Sequence, residues 1–149
     1  PDTKKPCPIS RFFLYKHKKR KIFFVCKWRR EEFSFKRMKT LFQKILDGEI
    51  PSKIVYKDDV CAAINDINPQ APVHVLLFPI KPIARIAEAK EEDAQILAHL
   101  MLAVPKVAEK CGLKDGFRVV INNGLLAGET IPHLHLHIRG GRQLHWPPC

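Results

Sequence analysis

The segment Ile131-Pro132-His133-Leu134-His135-Leu136-His137-Ile138 alternates histidine with leucine or isoleucine. Successive side chains of a β-strand point to opposite faces, so this alternation predicts a strand over residues 130–138. The leucines would face the core, and three imidazoles spaced about 6–7 Å apart would face the other way. Because unpaired imidazoles are costly to bury, the histidine face is expected to line a polar site.

Two kinds of chemistry suit this row of histidines, and the residues alone leave both open. His133 and His135, at positions i and i+2, could chelate zinc together with a third ligand from elsewhere in the chain. Alternatively, a neutral imidazole has a nitrogen lone pair at pH 7 and can attack phosphorus to form a labile intermediate. Its neighbours would then hydrogen-bond the phosphate oxygens or pass a proton to the leaving group.

The residues just before the histidines favour a phosphate ligand. Gly124 and Gly128 permit close approach of the backbone to an anion, and the Thr130 hydroxyl can donate a hydrogen bond to it. Glycines alone are a weak signal, but glycines followed by three alternating histidines indicate phosphorus chemistry. Glu129 fits less well, because a carboxylate repels a phosphate unless it is protonated or turned away.

The remaining patterns predict an antiparallel α+β domain. A short helix is expected over residues 41–47, opened by Lys39 or Thr40, and a long helix over residues 88–111, kinked at Pro105. Besides the histidine strand, strands are predicted over residues 53–56, 60–64, 73–79 and 117–121. The order α-β-β-β-α-β-β does not repeat a βαβ unit, which favours an antiparallel sheet.

The positive charge of the chain is concentrated near its N-terminus. The 149 residues carry a formal net charge of +11, and residues 1–37 hold 13 Lys+Arg against 3 acidic residues. We therefore expect a basic, aromatic-containing extension over residues 1–37, disordered or non-native, and a folded domain over residues 38–149. A basic segment with interleaved aromatics suits nucleic acid, so nucleic-acid binding is expected only of the extension.

Composition excludes several classes of protein. A chain of 149 residues fits one domain. Its longest uncharged apolar run, residues 71–80, is about half the length of a membrane span. Five cysteines without a CxxC pair favour a reducing compartment over a disulfide framework. We expect a cytoplasmic protein; a nuclear location, or organelle targeting by the extension, stays open.

Four motifs are distributed over residues 40–148. They are Leu41-Phe-Gln-Lys-Ile with Gly48-Glu-Ile-Pro-Ser-Lys-Ile-Val-Tyr56, Asp66-Ile-Asn-Pro-Gln-Ala-Pro-Val-His74, the alternating histidines, and Gly140-Gly-Arg-Gln-Leu-His-Trp-Pro-Pro148. Together they resemble the histidine triad (HIT) family, and in particular its Hint-type branch of purine nucleoside phosphoramidate hydrolases. The last motif is the most specific to that branch.

The resemblance implies an enzyme that cleaves the P–N bond of purine nucleoside 5′-phosphoramidates, such as AMP-amines and AMP-lysine, through a nucleotidyl-histidine intermediate. It implies that His135 is the nucleophile and that His137 holds the phosphate oxygens. His133 and His74 would complete the relay that orients His135. No cofactor or metal is expected for this route. The family further implies a homodimer with one continuous sheet, built around the long helix and a shared strand.

The resemblance also assigns contacts to the purine nucleotide. Asp66 corresponds to the carboxylate that accepts hydrogen bonds from the ribose hydroxyls, and Ile67 to a residue that packs against the sugar or base. The other candidate contacts are Asn65, Asn122, Gly128, Glu129, Thr130 and Trp146. Trp146 would reach toward the partner's site through the C-terminal tail.

Two departures from the family pattern are notable. Glu129 stands where glutamine is usual, and Pro82 stands where histidine is usual. Two other functions also stay open: a non-catalytic module that binds a nucleotide or a protein partner, and a zinc-binding protein that uses the HxHxH strand.

Overall fold

The computed structural model describes residues 39–148 of the chain. The N-terminal extension predicted for residues 1–37 lies outside the described residues. Within them, no helix is both long and apolar enough to cross a bilayer.

Five antiparallel strands form one open sheet. In chain order they are β1 (Ile54–Lys57), β2 (Cys61–Asn65), β3 (Val73–Pro79), β4 (Phe117–Val120) and β5 (Leu136–Gly140). Across the sheet the order is β1-β2-β3-β5-β4, so the last strand of the chain pairs with β3 on one side and β4 on the other. This sheet confirms the predicted antiparallel α+β fold.

Two α-helices accompany the sheet, α1 (Leu41–Leu46) and α2 (Ala94–Lys110). Thr40 starts α1 with a capping box: its hydroxyl accepts the Gln43 N–H, and the Gln43 side chain accepts the Thr40 N–H. The helix α2 continues through Pro105, and the kink predicted there stays a prediction.

The predicted start of the long helix at residue 88 is wrong. The chain instead forms two short 3₁₀ turns, Ile86–Glu88 and Glu91–Asp93, before α2 begins. The Asp93 carboxylate accepts the Lys90 N–H at 3.0 Å and the Lys81 ammonium at 2.7 Å. These bonds close the second turn tightly just ahead of the helix.

The two faces of the sheet carry two separate cores. Alternate residues of β2 and β3 pack against α2; on these strands they are Cys61, Ala63, Val75 and Leu77. The residues between them pack against α1 through Phe42 and Ile45; they are Ala62, Ile64, Leu76 and Phe78. The side chains of Phe42 and Phe78 stack with their centroids 4.2 Å apart. The α1 side is the smaller core, and the histidines lie beside it.

The predicted histidine strand over residues 130–138 is only partly correct, because β5 begins at Leu136. Its partner β3 ends at Pro79, which has no backbone N–H to continue the ladder. The preceding segment is held by other bonds: the Leu134 N–H donates to the Ile83 carbonyl at 2.6 Å. His133 and His135 therefore precede the strand, and only His137 lies within it.

Candidate active site

Four histidines gather on the sheet face opposite α2. The ring of Phe42 meets the rings of His133 and His135 edge-on, with centroids 5.3 and 5.4 Å apart. The His135 and His137 centroids are 4.9 Å apart, and those of His137 and His74 are 5.1 Å apart. The structure thus brings all four predicted catalytic histidines into one cluster.

His133 is completely buried and uses both of its ring nitrogens. Its Nε2 lies 2.8 Å from the Pro79 carbonyl, which can only accept, so Nε2 carries the proton. Its Nδ1 therefore accepts from the Thr40 hydroxyl, 2.7 Å away. Burial lowers the pKa of His133, which favours the neutral ring. Because His133 has no free lone pair, this geometry argues against a zinc site built on His133 and His135.

His135 presents a free nitrogen to the site. Its Nδ1 lies 2.7 Å from the His133 carbonyl oxygen, so Nδ1 must donate and carries the proton of the neutral ring. The lone pair then resides on Nε2, which makes no hydrogen bond within the described residues. The side chain is held in place, since the residue is only 5% exposed. This is the tautomer and orientation that a nucleophilic imidazole needs.

His74 and His137 form a directed hydrogen-bond relay. The Gln70 N–H donates to His74 Nδ1 at 3.1 Å, so His74 Nε2 carries a proton and donates it to His137 Nδ1 at 2.9 Å. His137 Nε2 consequently carries a proton too. This atom is buried and has no hydrogen-bond partner among the described residues. A buried N–H without a partner costs free energy that a ligand oxygen would remove.

The histidine relay is held in its neutral state by its surroundings. Burial is the main cause that lowers the pKa of His137 to about 4, and the neighbouring His135 and His74 rings oppose a second positive charge there. Burial also lowers the pKa of His74, against the opposing effect of the Asp66 carboxylate. Both rings are therefore neutral at pH 7, as the donor and acceptor assignment requires.

Asp66 lies beside this relay. Its Oδ2 is 3.4 Å from His74 Nε2 and 3.9 Å from His137 Nδ1. Its Oδ1 accepts the Asn68 N–H at 2.8 Å, which anchors the turn after β2. One carboxylate oxygen is thus committed to the turn, and the other faces the histidines.

The loop before the histidines is folded onto itself. The Gly128 N–H donates to the Leu125 carbonyl at 3.0 Å, and the Glu129 N–H donates to the Gly124 carbonyl at 3.2 Å. The Gly128 N–H expected to meet a phosphate is therefore already used within the loop. Asn122 supports the loop through a long bond of 3.4 Å from its Nδ2 to the Gly128 carbonyl.

Glu129 does not point a bare carboxylate at the site. It is buried, and its Oε1 accepts from Arg85 Nη2 at 2.9 Å. Hydrogen bonds from Arg85 and from the Gly124 N–H lower the pKa of Glu129, which keeps it ionised but paired. The charge of Glu129 is thus held in an ion pair with Arg85.

Several predicted nucleotide contacts are exposed: Asn65, Ile67, Thr130 and Trp146. None of their side chains makes a hydrogen bond within residues 39–148. Ile67 is fully exposed and Trp146 is 84% exposed, which leaves both apolar side chains without a cover in the single chain. Their predicted roles remain predictions.

Sequence reasoning missed most of the groups that orient the histidines. Thr40 was identified only as a helix start, yet its hydroxyl also fixes the tautomer of His133. The Pro79 carbonyl and the Arg85 side chain lie outside the quoted motifs, and the motif that contains Gln70 gives no sign that its N–H orients His74. Phe42 lies within the predicted short helix, and that prediction does not indicate its contacts to the imidazole rings.

Two concavities of the described residues do not enclose the whole histidine cluster. One of about 590 Å³ lies between residues 112–118 and residues 141–144. Another of about 580 Å³ includes Asp66 and His74 but not His133, His135 or His137. The hydrogen-bonding state of His135 Nε2 and His137 Nε2, rather than either of these concavities, therefore identifies the candidate site.

The HIT domain family model matches residues 47–144. The chain belongs to the HIT family. An uncharacterized HIT-like protein of Synechocystis is 55% identical over 109 residues, which cover 73% of this chain and 96% of the relative. The 14 kDa zinc-binding protein of Zea mays is 46% identical over 111 residues, which cover 73% of this chain and 87% of that protein.

Solved HIT structures share this fold. A HIT family hydrolase from Legionella pneumophila superposes with a TM-score of 0.71 at 42% identity, covering 74% of this chain and all of that one. A HIT family hydrolase from Clostridium thermocellum gives a TM-score of 0.70 at 45% identity, covering 72% of this chain and 95% of that one. The family prediction is confirmed, and a hydrolase is the general activity these neighbours support.

Proposed function

We propose that this HIT protein hydrolyses the P–N bond of purine nucleoside 5′-phosphoramidates, as members of the Hint-type branch do. One observation carries the proposal: a nucleophilic nitrogen, His135 Nε2, and an unpartnered buried N–H, His137 Nε2, lie on neighbouring imidazoles. The first group can attack phosphorus, and the second can bind the oxygen that gains charge.

In the first step, the lone pair of His135 Nε2 forms a bond to the α-phosphorus while the substrate's P–N bond breaks. The amine leaves with the bonding electron pair and takes up one proton from the solvent, which the attacking water returns to the solvent in the second step. Attack places positive charge on the imidazole, and the His133 carbonyl stabilises it through its bond to the His135 Nδ1–H. The His137 Nε2–H donates to a non-bridging oxygen or to the departing nitrogen.

In the second step, water attacks the phosphorus and the bond from His135 Nε2 to phosphorus breaks. The electron pair returns to Nε2, and the oxygen of the water stays on the nucleotide. The protons of the water balance the one taken up by the amine, so the products are a nucleoside monophosphate and a free amine. No redox partner enters this balance.

Nucleotide selection fits the polar groups at the edge of the cluster. The Asp66 carboxylate can accept two hydrogen bonds from the vicinal ribose hydroxyls. The exposed Ile67 follows it directly and would pack against the sugar or the purine. Adenosine phosphoramidates, including AMP-lysine, are therefore the substrates that we would assay first.

The test is turnover of a fluorogenic adenosine phosphoramidate by the full chain. We expect release of AMP and the amine in equal amounts, with the same rate in the presence of a metal chelator. Nucleotide binding without turnover would instead support a non-catalytic binding module. Loss of turnover on chelation would contradict the metal-free route.

We also propose that the active form is a homodimer. β4 is an edge strand of the sheet, so its outer side offers unpaired backbone groups. On α2, Met101 and Leu102 are 55% and 69% exposed, although large apolar side chains on a helix are usually covered. Light scattering should give twice the mass of the chain, and a Met101→Lys/Leu102→Lys variant should shift it to one chain. A monomeric wild-type protein would contradict this proposal.

Zinc binding is a second candidate, favoured by the name of the maize relative and by a donor set in this chain. One donor atom each from Asp66, His74 and His137 lies within 4.8 Å of the others. Zinc there would have to displace the proton of His74 Nε2 and take up the His137 Nδ1 lone pair, which breaks the bond between the two rings, so it would inhibit hydrolysis. Titration with zinc, followed by elemental analysis and activity, tests both effects: zinc that leaves turnover unchanged would exclude this set.

A further inference from the structure

A buried ion pair joins the loop before the histidines to the segment before α2. Arg85 meets the Glu129 carboxylate through two nitrogens: Nη2 lies 2.9 Å from Oε1, and Nε lies 3.1 Å from Oε2. The Glu129 side chain is only 6% exposed, whereas that of Arg85 is 32% exposed. Two parallel N–H···O bonds fix both the position and the orientation of the carboxylate.

The same carboxylate closes the loop that precedes the histidines. Glu129 Oε2 accepts the Gly124 N–H at 2.7 Å, so side chain and backbone of Glu129 both bond to Gly124. A second bond ties the same two segments together, from the Ala87 N–H to Asn123 Oδ1 at 2.9 Å. The conformation of residues 124–129, and hence the position of Thr130, depends on these contacts.

Glu129 is electrostatically linked to the proposed nucleophile. The pKa of Glu129 is lowered first by Arg85 and the Gly124 N–H and, to a smaller extent, by the His135 ring whenever that ring is protonated. A carboxylate close enough to interact with a charge on His135 would also be repelled by a phosphate bound to His135. Without a compensating cation, such a carboxylate would repel the substrate.

We propose that Arg85 and Glu129 are positioning residues for the phosphate side of the active site. Arg85 cancels the charge of Glu129, and the pair holds the loop of residues 124–129 in the shape that presents Thr130 and leaves room for the phosphate. This inference rests on the proposed function, because it assumes that a nucleotide phosphate binds beside His135. It makes Arg85, 50 residues away from His135 in the chain, a determinant of phosphate affinity.

The test compares Arg85→Gln, Glu129→Gln and the double variant in the full chain. AMP and adenosine are the two probes, since they differ only in the phosphate. We expect Arg85→Gln to weaken AMP binding roughly tenfold or more and to leave adenosine binding unchanged, because a bare carboxylate then faces the phosphate. The double variant should return to within about threefold of wild type, since two neutral amides remove the repulsion and can bond each other.

The matched control is Glu88→Gln. Glu88 is the other carboxylate partner of Arg85, but it is half-exposed and does not bond the loop. We expect Glu88→Gln to bind AMP as the wild type does. If Arg85→Gln does not fold, Arg85→Lys takes its place: it keeps the charge but loses the two-pronged geometry, and should weaken AMP binding less, again without affecting adenosine.

Equal effects on AMP and adenosine, or a double variant as weak as Arg85→Gln, would overturn the inference. These binding measurements separate it from the catalytic proposal. A wild-type chain that binds AMP through this pair but does not turn over phosphoramidates would keep the positioning role and refute the hydrolase. Normal turnover with AMP binding insensitive to Arg85 would do the reverse.

Discussion

Two carboxylate–histidine clusters lie on opposite faces of the same sheet, and only one suits catalysis. Asp58, Cys61 and His99 form the first, and Asp66, His74 and His137 form the second. In both clusters the donor atoms lie within 4.8 Å of one another. Residue types alone do not separate them, but their hydrogen bonds do.

The Asp58 cluster is saturated. Asp58 Oδ2 accepts from the Tyr56 hydroxyl and His99 Nε2, each at 2.8 Å, and from the Cys61 thiol at 3.5 Å. Its Oδ1 accepts the backbone N–H groups of Val60 and Cys61, both at 2.8 Å. This carboxylate ties the β1–β2 hairpin to α2 and has little capacity left for a ligand.

The Asp66 cluster is open. Its chain of donors runs from the Gln70 N–H through His74 to His137 and ends on an N–H that has no partner in residues 39–148. The Asp58 carboxylate already accepts its full set of hydrogen bonds, which suits a structural role. In the other cluster, the free His137 N–H lies beside the His135 lone pair, which suits a reaction. The unfilled hydrogen-bonding capacity is therefore the feature that distinguishes the candidate active site from the Asp58 cluster.

The largest contrast is expected between two histidine-to-alanine variants. His135→Ala should lower kcat for an adenosine phosphoramidate by at least about 10³-fold, because it removes the nucleophile. His99→Ala, from the saturated cluster, should keep kcat within about twofold. Steady-state kinetics on samples with matched circular dichroism spectra measures both. A His135→Ala enzyme with near-normal kcat would contradict the assignment.

For the stability of the fold, the Asp58 cluster is expected to be the important one. Asp58→Asn should lower the free energy of unfolding by about 2–3 kcal/mol, because an amide cannot accept all the hydrogen bonds that the carboxylate accepts. Urea denaturation at pH 7 measures this. Hydrogen bonds from His99 and from the Cys61 and Val60 N–H groups lower the Asp58 pKa against the opposing effect of burial.

The pH dependence of the stability lost in Asp58→Asn follows from the lowered pKa of Asp58. A carboxyl with a lowered pKa in the folded state contributes its stability above the unfolded value near 3.9 and loses it as the pH falls further. The difference in the free energy of unfolding between wild type and Asp58→Asn should therefore be constant from pH 7 to pH 5 and shrink below about pH 4. A gap that grows with acidity would contradict the assigned charge state.

His137 should make the protein acid-sensitive over a different range. Its folded pKa of about 4 lies below the usual value of 6.5, so the unfolded chain binds the proton more readily. Stability is then greatest above pH 6.5 and falls as the pH drops toward 4. His137→Gln should remove on the order of 2 kcal/mol of this fall. Denaturation curves at pH 7, 5.5 and 4 measure it, and equal acid sensitivity of both proteins would count against a buried neutral His137.

Asp66 should affect substrate binding more than chemistry. Asp66→Asn should raise KM roughly tenfold and change kcat by less than about threefold, because it weakens charge-assisted bonds to the ribose hydroxyls. The effect should disappear with a 2′,3′-dideoxyadenosine phosphoramidate, which lacks those hydroxyls. Asp58→Asn serves as the matched control with unchanged KM. A tenfold effect that persists on the dideoxy substrate would remove Asp66 from ribose binding.

Local patterns predicted most of the fold. β3 (Val73–Pro79) has the predicted bounds because an apolar run between two prolines marks a buried strand. The start of β5 was wrong because strand pairing depends on a partner that ends at Pro79. The start of α2 was wrong because bonds to the Asp93 side chain close a separate turn ahead of it.

In the candidate site, too, local patterns predicted some features, whereas others depend on residues far apart in the chain. Alternation predicted that His133, His135 and His137 share a side, since that follows from backbone geometry alone. Their tautomers depend on partners far along the chain: Thr40 is 93 residues from His133. The neutralisation of Glu129 likewise comes from Arg85, 44 residues away. No local pattern contains such pairs.

Detection of the covalent intermediate tests the central claim most directly. The full chain would be mixed with a radiolabelled adenosine phosphoramidate, quenched within milliseconds and analysed by peptide mass spectrometry. We predict an acid-labile AMP adduct on His135 that forms and decays at rates consistent with kcat and is missing in His135→Ala. Turnover without any adduct, or an adduct on another residue that forms and decays at those rates, would contradict the account.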